Sequence, residues 1–254
     1  MIRTVTATEY VLPLREGGSL PAIVEGDDDG TYVLKFRGAG QGPKALIAEL
    51  VSGEIARALG LPVPEIVFVD LDPRMAKTER DPEIQDLLQK SAGLNLALDY
   101  LPGSITYDPI VDVAIDGKGR LASQIVWFDA LVTNVDRTAK NTNLLVWHRK
   151  LWMIDHGASL IFHHQWDGAL DRSRDNAPQI RQHVLLDAAT ELEAIDEEMA
   201  AKLTPEVIST IVNLIPEEWL EDGSHAGYRD YLMRRLEAPR TWMEDAARAR
   251  TVRV

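Results

Sequence analysis

The chain has 254 residues, 45% hydrophobic and 26% charged, enough to bury a full core as one domain or as two units sharing a cleft. Its 27 basic and 40 acidic side chains give a net charge of −13, which works against binding phosphate backbones or anionic lipid and argues against a general nucleic-acid or membrane-surface protein. No cysteine is present, which excludes disulfides, thiolate metal sites and a cysteine nucleophile, and the first ten residues lack an apolar signal core, so a soluble, cytoplasmic protein is expected.

In chain order, Tyr10–Leu14, Ala22–Glu25 and Thr31–Phe36 read as strands of an antiparallel meander, separated by Gly17-Gly18-Ser19 and by the turn at residues 26–30. Pro43–Leu59 carries apolar residues at 46, 47, 50, 51, 55, 58 and 59, a helical period, with Pro43 in its first turn and Gly60 just beyond its end. Strands are predicted over Glu65–Asp70 and Leu94–Tyr100, with a helix within Pro82–Lys90 between them. Leu101-Pro102-Gly103-Ser104 breaks the chain. Beyond it the pattern is helical over Leu121–Thr133, around Ala189–Lys202, over Pro205–Leu214 and over Tyr228–Arg248, with strands only at Asn143–His148 and Leu151–Ile154. The expected class is α+β, a sheet-rich part over residues 1–101 and a helical part over 102–254.

The chemistry-bearing stretch is Asn134-Val-Asp136-Arg137-Thr-Ala-Lys140-Asn141-Thr-Asn143, followed by a hairpin and by Ile154-Asp155-His156-Gly157. Pairing across the polar turn His148-Arg149-Lys150 places Asp155 opposite Leu144, near Asn143 and Asn141. A carboxylate and an amide facing one space suit Mg²⁺, which binds few protein oxygens and takes further ligands from substrate phosphates. Asp136 lies in the same loop and is a candidate to accept a substrate proton. Asp, Asn and Thr are also ordinary turn formers; the conjunction of loop, hairpin and Ile-Asp-His-Gly favours the chemical reading.

These residues resemble the catalytic and metal-binding loops of the HipA-like kinases and of the related phosphatidylinositol 3- and 4-kinases. Thr31-Tyr-Val-Leu-Lys35-Phe resembles the strand carrying the ATP-binding lysine, and Ile55-Ala-Arg-Ala-Leu-Gly-Leu-Pro-Val-Pro-Glu65 resembles the helix end and strand that follow. The resemblance runs from about Gly17 to Leu160 and implies a two-lobed protein-kinase-like fold, with an antiparallel sheet lobe and a helical lobe. It implies ATP and Mg²⁺ as cofactors and transfer of the γ-phosphoryl group to a hydroxyl, first of a protein Ser or Thr and second of a small molecule or lipid. By the same resemblance Asp136 is the catalytic aspartate, Asn141 and Asp155 hold the metal, Lys35 contacts the phosphates with Glu49 as partner, and Asp99-Tyr100-Leu101 occupies the place of the adenine hinge, with a surface turn as the competing reading. Gly17-Gly18-Ser19 is the preferred phosphate-covering loop and Gly38-Ala-Gly40-Gln-Gly42 its rival. A pseudokinase or nucleotide-binding interaction module is the alternative in another class, and the full set Lys35, Asp136, Asn141 and Asp155 speaks against it.

Several assignments stay open at the level of sequence. The family register selects Glu49 as the lysine's partner, whereas the helical wheel buries Glu54 more deeply. Arg137 has two readings, a phosphate contact or an ion pair with a helical carboxylate. The pair His163-His164 does not read as a metal site, because neighbouring side chains on a strand point to opposite faces. His156 reaches phosphate or packs the loop. Trp219 and Trp242 read as core anchors and Glu191–Glu198 as a solvated helix face.

Overall fold

The computed structural model of the chain describes residues 2–14, 20–40, 42–77, 79–110 and 118–253. Strands β1 (Thr4–Pro13), β2 (Ala22–Gly26) and β3 (Thr31–Lys35) form successive hairpins. After helix α1 (Pro43–Leu59) come β4 (Ile66–Leu71), α2 (Pro82–Lys90) and β5 (Gly93–Asp99), which pairs with both β3 and β4. The strand order is β1-β2-β3-β5-β4 and the sheet closes into a barrel.

The closure corrects the expected purely antiparallel sheet, because β1 lies parallel to β4, with Thr4, Val5 and Thr6 opposite Phe68, Val69 and Asp70. β1 starts at Thr4 rather than Tyr10, and the alternation Thr4-Val5-Thr6-Ala7 buries every second residue. Two register shifts, between Ala7 and Glu9 and between Tyr10 and Leu12, bend the strand so that its start lies along β4 and its remainder along β2. Val5, Val24, Tyr32, Leu34, Val67, Val69 and Ala97 fill the barrel. Alternation along β3 then turns Lys35 away from that interior.

α1 is buried nearly all round. Every residue from Leu46 to Gly53 is buried, since β5 lies on one side and helices of the C-terminal half on another. Gly53 lies close to the start of β4: a Cβ there would stand 2.4 Å from Ile66 Cδ1, so a larger residue would have to displace the end of that side chain.

After β6 (Ile105–Thr106) and α3 (Lys118–Leu131), β7 (Leu144–Trp147) and β8 (Lys150–Met153) form a hairpin, and β6 pairs with β7 to make a second sheet. The turn is two residues, His148 and Arg149, both at positive φ, rather than the three expected. Leu144 therefore faces Met153, and Asp155 lies two residues past the predicted register. Four 3-10 segments between Ile161 and Ala188 lead to α4 (Leu192–Lys202) and α5 (Pro205–Val212), whose N-cap Thr204 accepts from Val207 N.

The single helix predicted over Tyr228–Arg248 is two, α6 (His225–Leu236) and α7 (Thr241–Arg253). Pro239 between them has no N–H to donate and its ring clashes with a preceding turn. Trp127, Trp219 and Trp242 are the bulkiest buried side chains. Asp196, expected on a solvated face, is buried where it accepts from Trp127 Nε1 and pairs with Arg240. Among the described residues no helix is long and apolar enough to cross a membrane.

Candidate active site

Lys35 leaves the end of β3 toward α1 and meets two carboxylates, Glu49 Oε2 at 2.6 Å and Asp155 Oδ1 at 2.5 Å. Glu49 has no exposed surface. Its Oε2 also accepts from the backbone N–H of His156 at 2.7 Å, and the His156 ring nitrogen Nδ1 stands 3.4 Å from Oε1. Burial alone would raise the Glu49 carboxyl, but the Lys35 charge and His156 more than offset it and hold it at about 2. The same two carboxylates keep Lys35 protonated against its burial and raise it above its ordinary value. Glu54 instead pairs with Arg57 on a more exposed side. The wheel misjudged the two glutamates because α1 has no polar face through its middle, so the wheel had no inside to point to.

Asp136 lies after α3, half-buried, with its Oδ2 accepting from Asn141 Nδ2 at 2.6 Å and from Asn143 Nδ2 at 3.3 Å. Its backbone N–H donates to Asn134 Oδ1 at 3.0 Å. Burial, reinforced by the neighbouring charge of Asp155, pushes the Asp136 carboxyl above its ordinary value against the pull of the two asparagines. Asn141 commits its N–H₂ to Asp136, which leaves its carbonyl oxygen out of that hydrogen bond. Asn143 (φ 47) and Asp155 (φ 56) both hold left-handed backbone, a conformation Asn and Asp tolerate better than other side chains. Ile154 N donates to Asn143 O at 3.1 Å, so the hairpin brings the two loops together at its base.

Arg137 pairs with a helical carboxylate. Its Nε donates to Asp129 Oδ2 on α3 at 2.6 Å, and neither side chain has exposed surface. Asp129 also receives Asn134 Nδ2 at 2.8 Å and faces His183 Nε2 at 2.8 Å. Burial would raise Asp129, but Arg137 and His183 hold it well below the usual carboxylate range. Asp129 went unnoticed in the sequence, although a lone carboxylate within Val126-Trp-Phe-Asp129-Ala-Leu-Val132 was a signal that a buried charge needed a partner.

The predicted hinge follows β5. Asp99 N donates to Glu65 O at 2.8 Å and Tyr100 N to Thr31 O at 3.0 Å, while Leu101 is buried and its carbonyl accepts from Ser104 N at 3.2 Å. Burial and the charge of Glu65 raise the Asp99 carboxyl. Gly17, Gly18 and Ser19 lie outside the described residues. The rival loop runs from β3 into α1, where Gly42 caps the helix at φ 67 without a side-chain cap. His163 is buried with Nδ1 3.1 Å from Tyr228 Oη, and among the described residues no cluster of three His, Asp or Glu could hold a metal.

The site thus gathers Lys35, Glu49, Asp155, Asp136, Asn141 and Asn143. One ammonium stands against three carboxylates, leaving two negative charges. Asp155 is partly exposed and Lys35 binds only its Oδ1. An all-oxygen set with surplus negative charge and an accessible carboxylate fits a hard divalent cation that shares its coordination with a phosphate.

Residues 8–239 match the family model described as HipA-like kinase. No curated protein sequence matches the chain at a significant level. Among solved structures, the chain is similar to the proinflammatory kinase CtkA of Helicobacter pylori, with a TM-score of 0.50, 13% identity and coverage of 99% of this chain and 98% of that one. It is also similar to the Golgi casein kinase, with a TM-score of 0.52, 11% identity and coverage of 99% and 74%. At these identities the likeness is one of fold, a kinase-like α+β architecture.

Proposed function

This chain belongs to the HipA-like kinase family and is a phosphotransferase, and from that premise we propose that it transfers the γ-phosphoryl group of ATP, with Mg²⁺, to the hydroxyl of a protein Ser or Thr. The nucleotide would lie between a lobe of residues 1–101 and a lobe of 102–254, its adenine against Asp99–Leu101 and its phosphates under the loop of Gly17, Gly18 and Ser19. The observation that carries the reading is Lys35, held 2.6 Å from Glu49 and 2.5 Å from Asp155. A lysine so gripped is positioned to neutralise phosphate oxygens.

Asn141 and Asp155 would hold the metal, which when bound neutralises charge on the β- and γ-phosphates. Asp136 orients the acceptor hydroxyl. As the hydroxyl oxygen bonds to the γ-phosphorus and the bond to the ADP oxygen breaks, the hydroxyl proton passes to the Asp136 carboxylate. Its raised proton affinity suits that late transfer. Asn141 and Asn143 fix the carboxylate's orientation through their hydrogen bonds. Incubation with γ-labelled and α-labelled ATP separates the possibilities. Label from the γ position alone on a Ser or Thr is the expected result; α-label on protein would instead indicate nucleotidyl transfer, and no label with nucleotide bound would indicate a binding module.

A further inference from the structure

Arg137 follows Asp136 directly, and its guanidinium is sealed inside the fold. Nε donates to Asp129 Oδ2 at 2.6 Å, and NH1 donates to the carbonyls of Asn143 and, at 3.3 Å, of Ile154. One side chain therefore ties the residue after Asp136 to the residue before Asp155. His183 meets the same carboxylate oxygen, Asp129 Oδ2. Its Nδ1 accepts from Leu185 N at 3.0 Å, so the ring proton sits on Nε2 and is donated to Asp129 at 2.8 Å. The backbone repeats the link: Thr138 bridges His183, and Val184 N donates to Arg137 O at 3.1 Å.

Kinases whose catalytic segments are ordered by phosphorylation gain an arginine–phosphate contact when modified. Here the arginine beside Asp136 is 2% exposed and already faces a carboxylate with no exposed surface. We propose that Asp129 is a built-in counter-anion: with Arg137 and His183 as positioning residues, it holds the Asp136 loop in register with the Asp155 loop and with the segment ending at Val184, so that the site assembles without a phosphorylated residue. This rests on the reading of Asp136 as the group that takes the acceptor's proton.

His183→Ala removes one grip on Asp129, and His183→Gln restores an N–H at the distance of Nε2. The alanine variant lowers kcat by about 10- to 100-fold through misplacement of Asp136, with KM for ATP unchanged. It also speeds amide hydrogen exchange across residues 134–143 while leaving the barrel strands as protected as before, and His183→Gln recovers both. Phosphatase treatment of the wild type leaves kcat unchanged. The proposal is overturned if His183→Ala leaves kcat and exchange as in the wild type, if the glutamine variant behaves as the alanine one, or if phosphatase treatment abolishes transfer. Asp136→Asn separates the two levels. Full activity in that variant removes the reading of Asp136, whereas an inactive Asp136→Asn beside a fully active His183→Ala removes only the present proposal. The exchange measurement decides the matter even for a chain that transfers no phosphate.

Discussion

Glu49→Gln keeps the shape of the buried side chain and removes its charge. The carboxylate serves Lys35 Nζ at 2.6 Å and the His156 N–H at 2.7 Å with a single oxygen; an amide oxygen retains the geometry but loses the ion pair. The carboxyl is held at about 2 against an ordinary 4.5, a difference worth about 3 kcal/mol of native-state stability. Because the folded value lies below the unfolded one, the unfolded chain takes up the proton first as pH falls. The contribution is therefore whole above the unfolded value of 4.5 and is lost as pH falls toward 2. Near neutral pH the variant should lose about 3 kcal/mol, equivalent for a chain of this size to a Tm lower by about 10 °C. At about pH 3 the gap between the two proteins should shrink to about 1 kcal/mol. Urea denaturation of both proteins at the two pH values measures it. An equal gap at both pH values, or none near neutrality, would refute the claim that a charged Glu49 anchors Lys35.

Other substitutions test the remaining parts. Asp136→Asn should lower the rate of phosphoryl transfer by about 10²- to 10⁴-fold while nucleotide affinity stays as in the wild type, read from steady-state kinetics and calorimetric titration. Asp155→Ala should abolish the dependence of ATP affinity on Mg²⁺, measured by titration with and without the metal; an unchanged metal dependence would contradict the ligand assignment. His163 is held neutral by burial, and further by His164 and Lys44, with its value lowered from 6.5 to about 3. Its folded value lies below its unfolded one, so stability is lost as pH falls through that window. The stability of His163→Gln, compared with that of the wild type in denaturation series, should improve relatively over the same window.

What was readable in the sequence was local. Pro43 and Gly60 bracket α1 as predicted, because a proline at the first turn and a glycine at C′ act within one helical turn. The run from Asn134 to Asn143 and the hairpin after it were legible for the same reason, since alternating apolar residues about a short polar turn define a β-pair. The surroundings of Arg137 were only partly legible: an ion pair with a helical carboxylate was one of its two readings, but His183, which meets that same carboxylate, lies 46 residues further along the chain. The parallel contact of β1 with β4 joins residues more than sixty positions apart, and no period within either strand encodes it. The 3-10 segments after Asp155 escaped because each is three to five residues long, shorter than any amphipathic period can reveal. Pro239, by contrast, was a signal in plain sight, and the helical periodicity on either side of it hid the break.

The central claim is that Lys35, Asn141, Asp155 and Asp136 converge on one phosphoryl group, and a crystal structure with a non-hydrolysable ATP analogue and Mg²⁺ tests it most directly. The account predicts the metal on Asn141 and Asp155, Lys35 on the α- and β-phosphates, and the γ-phosphate turned toward Asp136. A nucleotide bound with its γ-phosphate directed away from Asp136, or a metal held by neither Asn141 nor Asp155, would contradict it.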